Sequence, residues 1–205
     1  VSSSNGGLGG NTVTATVTIN SVNDPPSFTS GSNITVNEDS GSHTTSNWAT
    51  SISEGPSNES DQDFSFNVSN NNSSLFSSTP SISPGGTLTF TPATNAHGSA
   101  TITVSLSDDG GTGNGGDNTY DDQTFTVTVN PIADTPNITD AETDEDIMSS
   151  SGLVITRNAV DSEEVTHFKI TGITNGTLYH NNGSTSITNN EFITFAAGNA
   201  GLKFD

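Results

Sequence analysis

The chain has 205 residues, a formal net charge of −20 from 23 acidic against 3 basic side chains, and no cysteine. So acidic a surface repels phosphate, which argues against nucleic acid and anionic membrane as partners, and the lack of cysteine excludes a disulfide scaffold. Val, Ile, Leu and Phe make up only about a fifth of the residues, close to the level at which chains fail to collapse, so a thin core is expected.

Alternation separates this chain from a disordered one. Thr, Val, Ile and Phe alternate with polar residues in short runs, the period-2 pattern of half-buried strands, and no useful 3.6-residue apolar stripe occurs. In chain order the pattern predicts strands over 11–20, 33–37, 46–52, 63–69, 87–91, 99–106 and 123–130. Further strands are predicted over 152–156, 165–173, 176–180, 191–195 and 201–204. Gly, Asn, Asp and Pro clusters separate them, at 70–72, 84–86, 108–116 and 181–183. Seven strands in one stretch of roughly 105 residues predict an antiparallel sandwich of immunoglobulin-like type.

A junction occurs twice. Residues 19–26 read Ile19-Asn20-Ser21-Val22-Asn23-Asp24-Pro25-Pro26, and residues 129–136 read Val129-Asn130-Pro131-Ile132-Ala133-Asp134-Thr135-Pro136. Each follows an alternating run, and each precedes an acidic cluster, Glu38-Asp39 or Glu145-Asp146. A repeat of this length with an acidic, Pro-containing linker at each boundary predicts tandem all-β domains. Residues 1–24 are expected to be the last strand of a preceding or neighbouring-copy domain, 25–132 a complete sandwich, and 133–205 an incomplete second one lacking its final strands. The chain thus reads as a piece of a longer protein. An unfinished sheet edge also leaves open completion by strand 11–20 of another copy, which would build an open fibre.

The stretches Val36-Asn37-Glu38-Asp39-Ser40, Gly86–Pro92, Ala100–Gly110 and Thr124–Asn130 running on to Asp134 resemble bacterial cadherin-like repeats. The stretch Phe168–Tyr179 is similar to the related repeats of chondroitin-sulfate-proteoglycan-type matrix proteins. The resemblance implies a tandem segment of a large secreted or cell-surface adhesin, extracellular and stiffened by calcium. Its linkers are shorter than the Asp-x-Asn-Asp-Asn of animal cadherins, so fewer ligands stand at each hinge.

Calcium takes six to eight oxygens. Sandwich topology sorts the acids into two groups. At the first linker, Asn23 and Asp24 are expected to meet Asp61 and Asp63 in one loop and Asp108 and Asp109 in another. At the second, Glu38 and Asp39 are expected to meet Asn130 and Asp134, with Asp161 and Glu163 closing the site from the far side. The run Asp140–Asp146 is assigned to a further hinge.

Catalytic signals are weak. The histidines at 43, 97, 167 and 180 show no metal-ligand spacing, and no Gly-x-Ser-x-Gly elbow occurs. The expectation is a structural, adhesive repeat and not an enzyme. Its partners are neighbouring repeats and a surface polysaccharide or protein, without membrane insertion. Two alternatives stand beside it: a filament assembled by head-to-tail strand exchange, and a carbohydrate-binding module using Trp48 as a stacking platform.

Overall fold

The computed structural model describes residues 14–161 and 163–205. Its described residues form an all-β structure with almost no helix, and no helix among them is long and apolar enough to cross a membrane.

From 27 to 130 the chain forms β1 (Ser27–Thr29), β2 (Ile34–Asn37), β3 (His43–Thr45), β4 (Thr50–Ser53), β5 (Phe64–Asn70), β6 (Phe76–Ile82), β7 (Leu88–Pro92), β8 (Gly98–Asp108) and β9 (Thr119–Asn130). Alternation decides what faces inward. Along β9, Phe125, Val127 and Val129 are buried while Thr126 and Thr128 are half-exposed; along β8, Ala100, Ile102, Val104 and Leu106 do the same. The sheets are β2-β9-β8-β5, β3-β7-β6 and β1-β4. Their inner faces share one apolar cluster that includes Phe28, Trp48, Leu88, Phe90, Ile102, Leu106 and Val127.

The pairing departs from a purely antiparallel plan. β2 runs parallel to β9, with Ile34 opposite Val127 and Asn37 opposite Asn130. Of the predicted strand 46–52 only the part from Thr50 is strand, as β4, because a turn with positive φ at Asn47 precedes it. That turn drives Trp48 inward, where its indole N–H donates to the Ser32 carbonyl at 3.1 Å and its ring lies 4.4 Å from Phe125. Strand β6 was not foreseen because its serines and Pro80 break the β pattern. It lies at a sheet edge and meets β7 with two register shifts, where a missing N–H is tolerated. Of the predicted strand 11–20, residues 11–13 lie outside the described residues, and 14–20 form no ladder, leaving Val17 and Ile19 exposed.

From 137 to 204 the strands are shorter: β10 (Asn137–Ile138), β11 (Ile155–Thr156), β12 (His167–Lys169), β13 (Leu178–Tyr179), β14 (Ser186–Ile187), β15 (Phe192–Thr194) and β16 (Lys203–Phe204). They pair as β10-β11, β12-β15 and β14-β13-β16 around a second cluster of Ile155, Phe168, Leu178, Ile187, Ile193 and Leu202. A short helix, α1 (Phe195–Asn199), stands where only a strand end was expected; the Thr194 hydroxyl caps it by accepting the Ala197 N–H.

Candidate functional site

The two junctions carry the unusual chemistry. Five buried side-chain oxygens among the described residues lack a hydrogen-bond partner: Glu38 Oε2, Gln62 Oε1, Asp108 Oδ2, Asp134 Oδ2 and Asp161 Oδ2. Two sit beside the first linker and three beside the second. Buried polar atoms are ordinarily paired, so this clustering singles out the linkers.

A single local design builds the acidic wall of both. At the first linker the chain turns twice in succession, with Glu59 N–H donating to the Pro56 carbonyl and Gln62 N–H to the Glu59 carbonyl. At the second the same pair of turns joins Asp161 to Asn158 and Glu164 to Asp161. Each turn points an acid at the linker backbone. The Asp24 N–H donates to Glu59 Oε1 at 3.1 Å, and the Asp134 N–H donates to Asp161 Oδ1 at 2.7 Å. Glu59 is 4% exposed and Asp161 1%.

At the first linker, Asn23 is tied down from several sides. Its side chain donates to Asp108 Oδ1 at 2.9 Å and to the Asp117 carbonyl, and accepts from Gln62 Nε2 at 2.8 Å. Asp109 accepts the Asp63 N–H at 3.0 Å. Of the residues expected at this linker, Asn23 thus contacts Asp108, and Asp63 contacts Asp109 through its backbone N–H. Asp24 takes part through its backbone, and Asp61 stays exposed on the turn. Glu59 and Gln62 face inward on this turn, whereas the expected ligands Asp61 and Asp63 are exposed.

At the second linker, Glu38 follows β2 and is held at both ends. Its N–H donates to the Asn130 carbonyl at 2.9 Å, and its Oε1 accepts the Ile132 N–H at 2.8 Å. Asp39 Oδ1 accepts the Asn95 N–H at 3.1 Å, fastening the β7–β8 loop alongside. Burial, and then the negative charges of Asp161, Asp39 and Glu38, raise the Asp134 carboxyl above its ordinary range. Three of the residues assigned to this linker, Glu38, Asp39 and Asp161, thus act on a fourth, Asp134. Asn130 contributes its carbonyl, and Glu163 lies exposed.

Sequence reasoning missed His97 and Glu164. The His97 ring bridges two carboxylates, with Nδ1 3.6 Å from Glu38 Oε2 and Nε2 3.0 Å from Glu164 Oε2. These three residues are the one group among the described residues whose metal-ligating atoms all lie within 4.8 Å of each other. No triple drawn from Glu38, Asp39, Asp134 and Asp161 is drawn in so closely.

The donor set suits a hard cation all the same. Glu38 Oε2, Asp134 Oδ2 and Asp161 Oδ2 are carboxylate oxygens without partners, and carboxylates are what calcium takes. Asp134, Asp161, Glu38 and Asp39 would hold such an ion, which would neutralise their mutual repulsion. No family model matches this chain, and no curated protein sequence matches it.

Proposed function

We propose that the chain is a structural, adhesive repeat segment of a large secreted or cell-surface protein, in which tandem cadherin-like sandwiches are joined by linkers that calcium stiffens. The observation that carries this reading is the gathering of unpartnered buried side-chain oxygens at the two linkers, in a chain of charge −20. Without a cation these carboxylates repel one another and leave the linker compliant. With one, the linker aspartate and the acid behind it share an ion, and two adjacent units are locked in one orientation. Affinity in the range of roughly 10⁻⁴–10⁻³ M, as in other extracellular modules, is sufficient for such a role. The test is thermal unfolding and small-angle scattering in millimolar calcium and in chelator. A higher midpoint and a longer, stiffer particle with calcium are expected, and identical behaviour in the two buffers defeats the reading.

One observation favours assembly as a second reading. Residues 14–20, Thr-Ala-Thr-Val-Thr-Ile-Asn, match 124–130, Thr-Phe-Thr-Val-Thr-Val-Asn, which in β9 pair on both sides. The first set stands exposed, with Val17 84% and Ile19 90% accessible. A groove of about 480 Å³, lined by Ile138, Leu153, Ile155, Phe168 and Leu178, opens on the second cluster. Residues 14–20 of another copy have the alternation to enter such a groove. Scattering mass that grows with concentration, and that Val17→Asp with Ile19→Asp abolishes, is the expected signature. The carbohydrate-module reading loses its platform, because Trp48 is 3% exposed.

A further inference from the structure

We infer that Glu38, His97 and Glu164 form a binding site for a borderline divalent metal of the zinc type, which differs from the calcium set by its histidine, shares Glu38 with it, and spans the same junction. Calcium has little use for imidazole, whereas zinc readily combines one histidine nitrogen with carboxylate oxygens. The histidine therefore decides the ion. Glu38 Oε2, Glu164 Oε2 and one ring nitrogen of His97 lie within 4.8 Å of one another. Tetrahedral ligands about 2.0–2.1 Å from zinc stand about 3.3 Å apart, so a small inward movement of the half-exposed histidine closes the shell, with water in the fourth position.

Proximity of acids alone would not carry this assignment. The second observation is Glu38 itself. Its side chain is 3% exposed, its Oε1 is engaged by the Ile132 N–H, and its Oε2 is buried without a hydrogen-bond donor while facing the His97 ring. A buried carboxylate oxygen without a hydrogen-bond donor is costly unless a cation neutralises it. The surroundings fix the donors in place. Glu38 is pinned through Asn130 and Ile132, and Glu164 sits on the turn begun at Asp161. His97 follows a loop tied down by the Asn95–Asp39 contact and the Ala96–Ala93 turn. Glu38 and His97 belong to the 27–130 segment and Glu164 to the following one, so the metal acts as a clasp between them. The other flanking acids, Asp134 and Asp161, lie outside the shell and add negative potential that favours any dication.

The site is tested by titrating ZnCl2 into the chain in calcium-free buffer by calorimetry, with cobalt(II) absorption as a second readout of low coordination number. One zinc per chain is expected, with affinity reduced at least tenfold in His97→Gln and in Glu164→Gln, since even loss of an outer partner costs about 10–100-fold. Asp134→Asn is expected to keep zinc binding while losing the calcium response, and His97→Gln to keep the calcium response. Absence of zinc binding, or binding equal in parent and His97→Gln, overturns the assignment and leaves the calcium reading standing. His97 is 37% exposed, so its replacement does not endanger the fold.

Discussion

The Asp161 carboxylate accepts the backbone N–H of Asp134 at 2.7 Å, and in doing so leaves its other oxygen buried and unpartnered. The backbone contact positions the linker, while the spare oxygen remains for something else. Glu59 and Asp24 repeat the first half of this relationship at 3.1 Å, on an equivalent pair of turns. Only Asp161 keeps the second half, an oxygen left over after the linker is fixed, which suits the proposed role of an ion that stiffens the joint.

Asp161→Asn separates the two roles. The amide oxygen still accepts the Asp134 N–H, so the linker geometry is retained, but the negative charge is gone. In chelator the variant is expected to be at least as stable as the parent, because a buried charge among like charges has been removed. In calcium at tenfold its dissociation constant a calcium-binding parent is expected to gain about 1.4 kcal/mol, and the variant to lose most of that gain. Melting curves in the two buffers decide it; an equal calcium gain in the variant removes Asp161 from the site.

Asp134 sets the sign of a pH effect. Its carboxyl is raised above the ordinary 3.8 by burial and by Asp161, Asp39 and Glu38. The folded state thus holds the proton more tightly than the unfolded one. The associated stability is fully present below the unfolded value and is lost as pH rises through the folded value. In chelator, acidification from neutral toward that window is expected to stabilise the parent relative to Asp134→Asn. Calcium, on the proposed reading, is expected to reverse the preference by favouring the carboxylate. Denaturant midpoints of both proteins between pH 7 and pH 4 show it, and parallel curves refute it.

The strands β5, β7, β8 and β9 were legible because β-branched residues and Phe alternate without interruption, and burial follows that alternation. Strand β6 was not, since Ser78, Thr79, Pro80 and Ser81 carry no strand signal and gain their conformation from pairing with β7. The repeated junctions were legible because Asn20 and Asn130 head the same motif. The acids behind them were legible only as groups. Glu59, Asp61 and Asp63 are equivalent on paper, and the turn from Pro56 through Glu59 to Gln62 decides which faces in. His97 was invisible for another reason: its partners Glu38 and Glu164 come from distant parts of the chain, and no spacing rule joins them.

Trp48→Ala tests the thin core. The indole is 3% exposed, packs on Phe125 and has Gly31 so close that a Cβ there would strike it. Loss of a buried aromatic costs about 3–5 kcal/mol. The 27–130 segment, whose sheets share the cluster that holds Trp48, is expected to lose much of its stability, measured by urea unfolding, whereas Val17→Ala on an exposed position is expected to change it by less than about 0.5 kcal/mol. A mild effect at Trp48 would place the weight of the fold elsewhere.

Gly110→Ala tests how tightly the first linker is built. A Cβ at Gly110 would collide with the Asn23 side chain and press on Gln62. Asn23 has no room to yield: its amide is engaged by Asp108, Asp117 and Gln62, and its carbonyl accepts the Asp117 N–H at 3.1 Å. The added methyl must therefore displace the linker from the loop, at a cost typical of overpacking, about 1–3 kcal/mol. Gly113→Ala in the same loop meets no neighbour and serves as the control. Hydrogen exchange at the amides of Asp117 and Gly110 is expected to quicken in Gly110→Ala and to stay at the parent rate in Gly113→Ala. Equal exchange in the two variants would mean that the Asn23 contacts do not bind the linker to the 108–117 loop.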